Sequence, residues 1–221
     1  RLTAGDRCGM HVYDYQALEG SNPKIVIDLE HRDELLDSEI AYDSEQNAIC
    51  GFRRSKSWNE DQMLYFYIQF SAPVQDYKSF GNKGALVVFS DDLTQIISKV
   101  GISSVSVENA KANLLNEIAE DNFDFNALMD ATQSKWEKFL SKIDVRGNGR
   151  ESVEKLRTFY TALYHTAIAP NIYSDVDGRY RGMDKKIHTS EGYDRYTVFS
   201  LWDTFRSLHP LFTIIERDRT L

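Results

Sequence analysis

The sequence predicts a mixed fold in three parts: an antiparallel β-sandwich, a helical linker, and the opening helices of a second, helical domain. Three observations predict it. Through residue 106 the chain is a series of short β-branched and aromatic runs separated by turn signals, the texture of an antiparallel sandwich. Past Val107 the apolar residues recur at helical spacing instead. The triplet Gly147-Asn148-Gly149 then divides one helical stretch from the next. The boundaries drawn are 1–106, 107–145 and 146–221.

Taken in order, residues 24–30 (KIVIDLE) form a β-branched run after the turn signal Ser21-Asn22-Pro23. Residues 39–42 and 48–53 flank a polar segment, 43–47, that reads as a hairpin loop. Residues 63–70 are aromatic and almost continuously apolar, which suits a strand buried on both faces. Gly81-Asn82-Lys83-Gly84 is a turn before the strand 85–89. Leu93, Ile96, Ile97 and Val100 have helical spacing but β-branched character, and the flanking hairpin signals favour strand. Residues 108–118 read as helix, and Asp124 can cap a second one with Phe125, Leu128, Thr132, Trp136, Phe139 and Leu140 along a face. A third helix, 151–168, carries Val153, Leu156, Tyr160, Leu163 and Ala167 as its stripe and stops at Pro170. It overlaps an uncharged run, 158–174, which reads as a buried helix and its exit, with His165 a hydrogen-bonded core residue. Asp177-Gly178 reads as a tight turn between Ser-Asp-Val and Arg-Tyr-Arg. A last helix covers 199–207, and Pro210 either kinks it or opens a new turn.

Composition narrows the function classes. A chain of 221 residues, 42% hydrophobic, can bury a core, and its formal charge of −8 disfavours nucleic-acid binding. Arg53, Arg54 and Lys56 make only a short basic patch. No run approaches the ~18–20 apolar residues of a membrane span. Cys8 and Cys50 make no disulfide framework, and two buried free thiols are favoured over one bridge. The five histidines show no metal-ligand spacing. There is no G-x-S-x-G, G-x-G-x-x-G or Walker loop. An EF-hand loop opening at Asp175 fails, because Arg179 and Lys186 stand where oxygen ligands are needed.

The residues left as candidates suit a hydroxyl-rich ligand, since rings cover apolar sugar faces and carboxylates accept from hydroxyls. Asp175 and Asp177 read either as a carboxylate pair at a polar pocket or, the favoured reading, as turn residues paired with Arg179 or Arg181. Trp202, Asp203 and Arg206 have the spacing to share one helix face, as a sugar contact or as an intrahelical ion pair beside a core tryptophan. Trp58, in the loop 55–60, is a further aromatic candidate.

Several long words stand in a fixed order: GFRRSKSWNEDQMLYFYIQFSAPV from Gly51, VGISSVSVENAKANL from Val100, FYTALYHT from Phe159, APNIYSDVDGRYRGMD from Ala169 and YTVFSLWDTFRSLHPL from Tyr196. Together they resemble glycoside hydrolase family 92, whose members are calcium-dependent, inverting, exo-acting α-mannosidases. The resemblance implies a β-sandwich, a linker and the first helices of an (α/α)6 barrel. It implies a fragment, with the family's N-terminal domain beginning before Arg1 and the catalytic acid and base lying beyond Leu221, so that no catalytic residue is named here and the fragment alone is expected to be inactive. It implies that Trp202, Asp203 and Arg206 line the terminal-sugar subsite. Beside them Asp175, Asp177 and Trp58 stand as further substrate-binding candidates on their own residue types, with Trp58 expected where sandwich and barrel meet. The resemblance implies calcium, with no ligand placed, a mannose-containing glycan as partner, and a periplasmic, cell-surface or secreted bacterial protein. The rival readings are a non-catalytic carbohydrate-binding or structural module, and another (α/α)6 glycosidase or sugar phosphorylase.

Overall fold

A computed structural model describes residues 1–16 and 21–220, with backbone only at Arg150 and Glu151. The chain forms two compact units, Arg1–Thr132 with Tyr173–Arg195, and Gln133–Ile172 with Tyr196–Leu221.

The first unit opens with strands β1 (Leu2–Ala4), β2 (Cys8–Asp14), β3 (Lys24–Asp28), β4 (Glu34–Asp43) and β5 (Ala48–Lys56). They are followed by β6 (Gln62–Phe70), β7 (Asp76–Ser79), β8 (Gly84–Val88) and β9 (Gln95–Ser103). Six of these form one antiparallel sheet in the order β1-β2-β9-β6-β5-β4, and three form a second, β3-β8-β7. Ile25, Ile40, Ile49, Phe66, Phe70, Val87, Phe89 and Ile96 are buried in one cluster drawn from both sheets. The Phe70 and Phe89 rings meet edge-on at 5.3 Å.

The expected hairpin is β4–β5, in register from Asp43↔Ala48. Its loop closes because Asp43 Oδ1 accepts from the amides of Glu45 and Gln46. Asn47 then takes a left-handed conformation at φ 48° and ties the loop to Ala72 and Val74. Strand β4 begins five residues earlier than the apolar pattern shows, because Glu34–Ser38 are mostly polar and pair with β5 across a bulge between Leu35 and Asp37.

The helix-like spacing at Leu93–Val100 resolves as strand. β9 lies between β2 and β6, so consecutive Ile96 and Ile97 face opposite apolar layers. The layer on the far side is α1 (Val107–Glu117), capped by Ser106 Oγ accepting from the Asn109 amide. Ala110 and Leu114 of α1 pack with Met10, Val12, Ala48 and Tyr67. Gly101 permits this approach, since a Cβ there would stand 2.1 Å from the Ala110 carbonyl oxygen. Lys99 is fully buried and donates to the carbonyls of Ala119 and Glu120 just past the helix end. The cysteines are unbridged; Cys8 is buried, but Cys50 is only partly so.

Helix α2 (Phe125–Leu140) starts where Asp124 Oδ1 accepts from the amides of Asn126 and Ala127, and the two units divide within it. In the second unit α3 (Arg150–Thr166) follows Gly149, whose φ of 89° suits glycine. Trp136 of α2 lies 4.6 Å from the ring of Tyr164 of α3. The uncharged run is not the buried helix expected. Among the described side chains of α3 only Leu163 is buried, and His165 is exposed rather than in a core. A stripe is buried only where another element covers it, and this unit has few.

The segment Tyr173–Arg195 belongs to the first unit and carries β10 (Arg179–Arg181) paired with β11 (Ile187–Thr189). Asp177-Gly178 is a turn, with Gly178 at φ 82°, but its flanks are not the two strands of a hairpin; β10 pairs onward with β11. The expected helix 199–207 is one turn, α4 (Leu201–Thr204). Pro210 sits in the first turn of α5 (Leu208–Ile215), where its missing amide costs nothing, and α6 (Arg217–Thr220) follows.

Candidate functional site

Three groups of side chains contain the sequence candidates, two in the first unit and one in the second. The first is built on Asp175. Its carboxylate is buried, accepting from Ser103 Oγ at 2.6 Å and from Asn113 Nδ2 at 2.7 Å. Burial pushes its pKa up, against the pull of those hydrogen bonds. Asn113 Oδ1 in turn accepts from the Val176 amide. Asp177 accepts from Asn109 Nδ2 at 3.0 Å and from the amide and Nε of Arg179 at 3.0 and 2.7 Å. Burial raises its pKa, but the Arg179 amide and guanidinium and Asn109 outweigh it, and the net shift is downward. Arg179 Nη2 also reaches Asn109 Oδ1. Every carboxylate oxygen thus has a donor, and the two aspartates bind their segment to the end of β9 and to α1.

The second group is built on Asp61, which the sequence did not single out. This buried carboxylate accepts from Arg54 Nε at 2.7 Å and Nη2 at 3.0 Å. It also accepts from Arg181 Nη2 at 3.3 Å and Lys185 Nζ at 3.1 Å. Hydrogen bonding to Arg54 first, then Lys185 and the neighbouring Arg181 charge, hold it well below the usual carboxylate range. Three residues earlier stands Trp58, 87% exposed. Its loop is closed by Ser57 N donating to Asn59 O and Asp61 N donating to Asn59 Oδ1. Nothing local in the word SWNED signals the cluster; Arg181 comes from 120 residues away.

The third group is on α4 in the second unit. Trp202 is 86% exposed, and Asp203 is exposed beside it. Arg206 does not share their helix, which ends at Thr204; its guanidinium lies over the Phe205 ring, 5.3 Å from the centroid, not on Asp203. Neither an intrahelical ion pair nor a core tryptophan is formed. The same unit holds a cavity of about 200 Å³ lined by Phe139, Pro170, Phe199, His209, Phe212 and Glu216. His209 is held there by Thr204 Oγ1 at 2.9 Å.

Among the described residues no group of three or more His, Cys, Asp or Glu is placed to hold a metal. Asp175 and Asp177 do not fit calcium, because their oxygens already face Asn, Ser and Arg donors.

Residues 1–103 match the profile of the glycosyl hydrolase family 92 N-terminal domain, and residues 109–221 that of the glycosyl hydrolase family 92 catalytic domain. A family GH92 α-mannosidase from Bacteroides thetaiotaomicron is similar at TM-score 0.81 and 31% identity, over 96% of this chain and 30% of that one. A family GH92 inverting mannosidase from Bacteroides thetaiotaomicron VPI-5482 shares the fold at TM-score 0.81 and 23% identity, over 98% of this chain and 30% of that one. A curated protein described as an uncharacterized secreted glycosidase, from Arthroderma benhamiae, is 29% identical over 85 residues, 38% of this chain and 11% of its own. The chain therefore spans about 30% of the length of these solved structures and 11% of the curated relative. With a sheet-rich N-terminal domain followed by helices, and both profiles matched in order along it, the chain belongs to glycosyl hydrolase family 92.

Proposed function

We propose that the complete protein is a glycoside hydrolase that releases terminal α-linked mannose from glycans with inversion. The observation that carries this is the succession of the family's two domain profiles on one chain. The relatives support the sugar: one is described as an α-mannosidase and is also known in complex with mannoimidazole, and another as an inverting mannosidase. In such a reaction water attacks the anomeric carbon with help from a carboxylate base, while a carboxylic acid protonates the leaving oxygen. No residue of this chain is assigned either role.

On this reading the chain supplies the sheet domain, the connecting helices and the first helices of an (α/α)6 barrel. Trp202 and Asp203 contact the terminal mannose, and Trp58 is a second aromatic contact for the glycan. Both tryptophans are almost fully exposed, which leaves their faces open to a ring. Arg206 joins them by leaving Phe205 for the ligand or for Asp203. Asp175 and Asp177 hold their own segment to β9 and α1 rather than touching sugar. Calcium belongs to the proposal on the resemblance alone, and no residue described here is assigned to it. An extracytoplasmic bacterial location is likewise proposed, since one relative is described as secreted and the solved relatives named above are from Bacteroides thetaiotaomicron.

The test is mannose release by the complete protein from α-mannosides, with the product anomer read by proton NMR before mutarotation. β-Mannose as first product is the expected result. α-Mannose first would overturn inversion, and no release from any α-mannoside would overturn the activity.

A further inference from the structure

Trp58 is 87% exposed and so is Met183. Both belong to the first unit, and they are the most exposed of its large apolar side chains among the described residues. Neither sits on a loose loop. The Trp58 loop is closed by the Ser57–Asn59 and Asp61–Asn59 bonds. The Met183 turn is closed by Gly182 N donating to Lys186 O at 2.7 Å and Lys185 N donating to Gly182 O at 2.9 Å.

Both loops are rooted in one carboxylate. Asp61 ends the Trp58 loop, and Arg181 and Lys185, which flank Met183, both donate to its Oδ2. Arg181 Nη1 adds a bond to the Asp61 carbonyl at 2.9 Å. Arg54 of β5 holds the other side of the carboxylate through two parallel bonds, the fork geometry that fixes direction as well as distance. The Asp61 side chain is 6% exposed, so it cannot itself offer a face to a ligand. It joins three parts of the chain whose exposed products are an indole and a thioether.

We propose that Asp61 is a positioning residue that fixes Trp58 and the turn 182–186 as one carbohydrate-binding platform on the first unit. The platform stacks a sugar ring on the Trp58 indole. This rests on the reading of Trp58 as a glycan contact, and extends it to a residue that touches no ligand. Its mechanism is pre-organisation: an indole held in place loses little freedom when the ring arrives, so affinity rises without a new contact.

The complete protein is tested on the α-mannoside it turns over best, with kcat and KM measured separately and the urea midpoint recorded beside them. Trp58→Ala is expected to raise KM about tenfold with little change in kcat, the mark of lost ground-state binding. Asp61→Asn, which keeps the shape and removes the charge, is expected to raise KM toward the same level. In the Trp58→Ala/Asp61→Asn double variant the second change is expected to add almost nothing, because there is no indole left to position.

The outcomes separate two failures. If Trp58→Ala leaves KM unchanged, the glycan reading of Trp58 is wrong and the platform falls with it. If Trp58→Ala raises KM but Asp61→Asn only lowers the urea midpoint, Asp61 is architecture and the positioning proposal alone is overturned. Equal effects of Asp61→Asn with and without Trp58 overturn it too. Should Asp61→Asn fail to fold, Arg54→Gln carries the same cycle from a side chain that is 42% exposed.

Discussion

At the scale of single residues, Asp203 is the sharpest case. Its position on α4 is exposed, and its one natural partner on the chain, Arg206, lies over Phe205 instead. A carboxylate with no ion pair to break gives little stability when it is changed, so any large loss on substitution reports on ligand. If it accepts from mannose hydroxyls in the complete enzyme, the lost charged hydrogen bond is worth about 1.5–3 kcal/mol. Asp203→Asn is then expected to cut kcat/KM roughly ten- to hundredfold while the urea midpoint stays put. Wild-type kcat/KM in that variant would remove Asp203 from the sugar site. The buried aspartates make a different prediction, in pH. Asp61 has a depressed pKa in the fold, so its contribution is present above the ordinary value of 3.8 and is lost as pH falls through the folded value. Asp175 has a raised pKa, so the folded state takes up its proton first, and stability gains from it as pH falls toward 3.8. Urea midpoints taken from pH 7 down to pH 3 are expected to fall less steeply in Asp61→Asn than in the wild type, and more steeply in Asp175→Asn. The reverse pairing would mean that the two carboxylates have been assigned the wrong environments.

At the scale of elements, the N-caps give the cleanest test. Asp124 accepts two amides at the start of α2, a helix that carries residues of both units. Asp124→Ala is expected to cost about 0.5–2 kcal/mol, and Asp124→Ser much less, in a urea titration of the chain. Equal losses would show that the side chain acts through something other than its oxygen. Asp124 was legible because capping is local chemistry, and so were the Asp43–Asn47 hairpin, β6 and α1. β9 was legible as strand from its flanking hairpin signals, although its consecutive isoleucines also fit a helix face; what the sequence hid was that α1 lies behind the sheet and covers the second face. The third helix misled for the opposite reason. Its stripe of Val153, Leu156, Tyr160 and Leu163 has the period of a buried face, but period says nothing of whether a neighbour is there to bury it. The site divides in the same way. Trp202, Asp203 and Trp58 stood out as residue types that suit a sugar, rings for its apolar faces and a carboxylate for its hydroxyls. Asp61 did not, because its meaning lies in Arg54 of β5 and in Arg181 and Lys185 of the β10–β11 hairpin, two places in the chain.

At the scale of the whole molecule, apolar burial is unevenly shared. Of the buried hydrophobic residues among those described, Phe139 and Leu163 are the two in the second unit; all the rest lie in the first. Since burial of apolar surface is the main term that offsets chain entropy, local stability should follow the same division. Helices with few buried contacts open cheaply, and their amides exchange without global unfolding. In hydrogen exchange on the 221-residue chain, amides of β5, β6, β9 and α1 are therefore expected to exchange slowest, and those of α3 and α5 orders of magnitude faster. The consequence for activity runs the same way. The proposed terminal-sugar contacts, Trp202 and Asp203, are on α4 in the weakly buried unit, and the chain spans 30% of the length of the α-mannosidase it resembles. The 221-residue chain alone is expected to release no mannose under conditions where the complete protein does, because none of its residues is assigned as acid or base, and lacking either group, or a steady sugar subsite, removes orders of magnitude in rate. In the complete protein the amides of α3 and α5 are expected to become as slow as those of the sheet. Slow exchange in α3 of the short chain would show that this unit is already stable by itself. Mannose release by that chain, purified free of longer species, would place the catalytic pair within these residues and overturn the division of labour proposed for the two units.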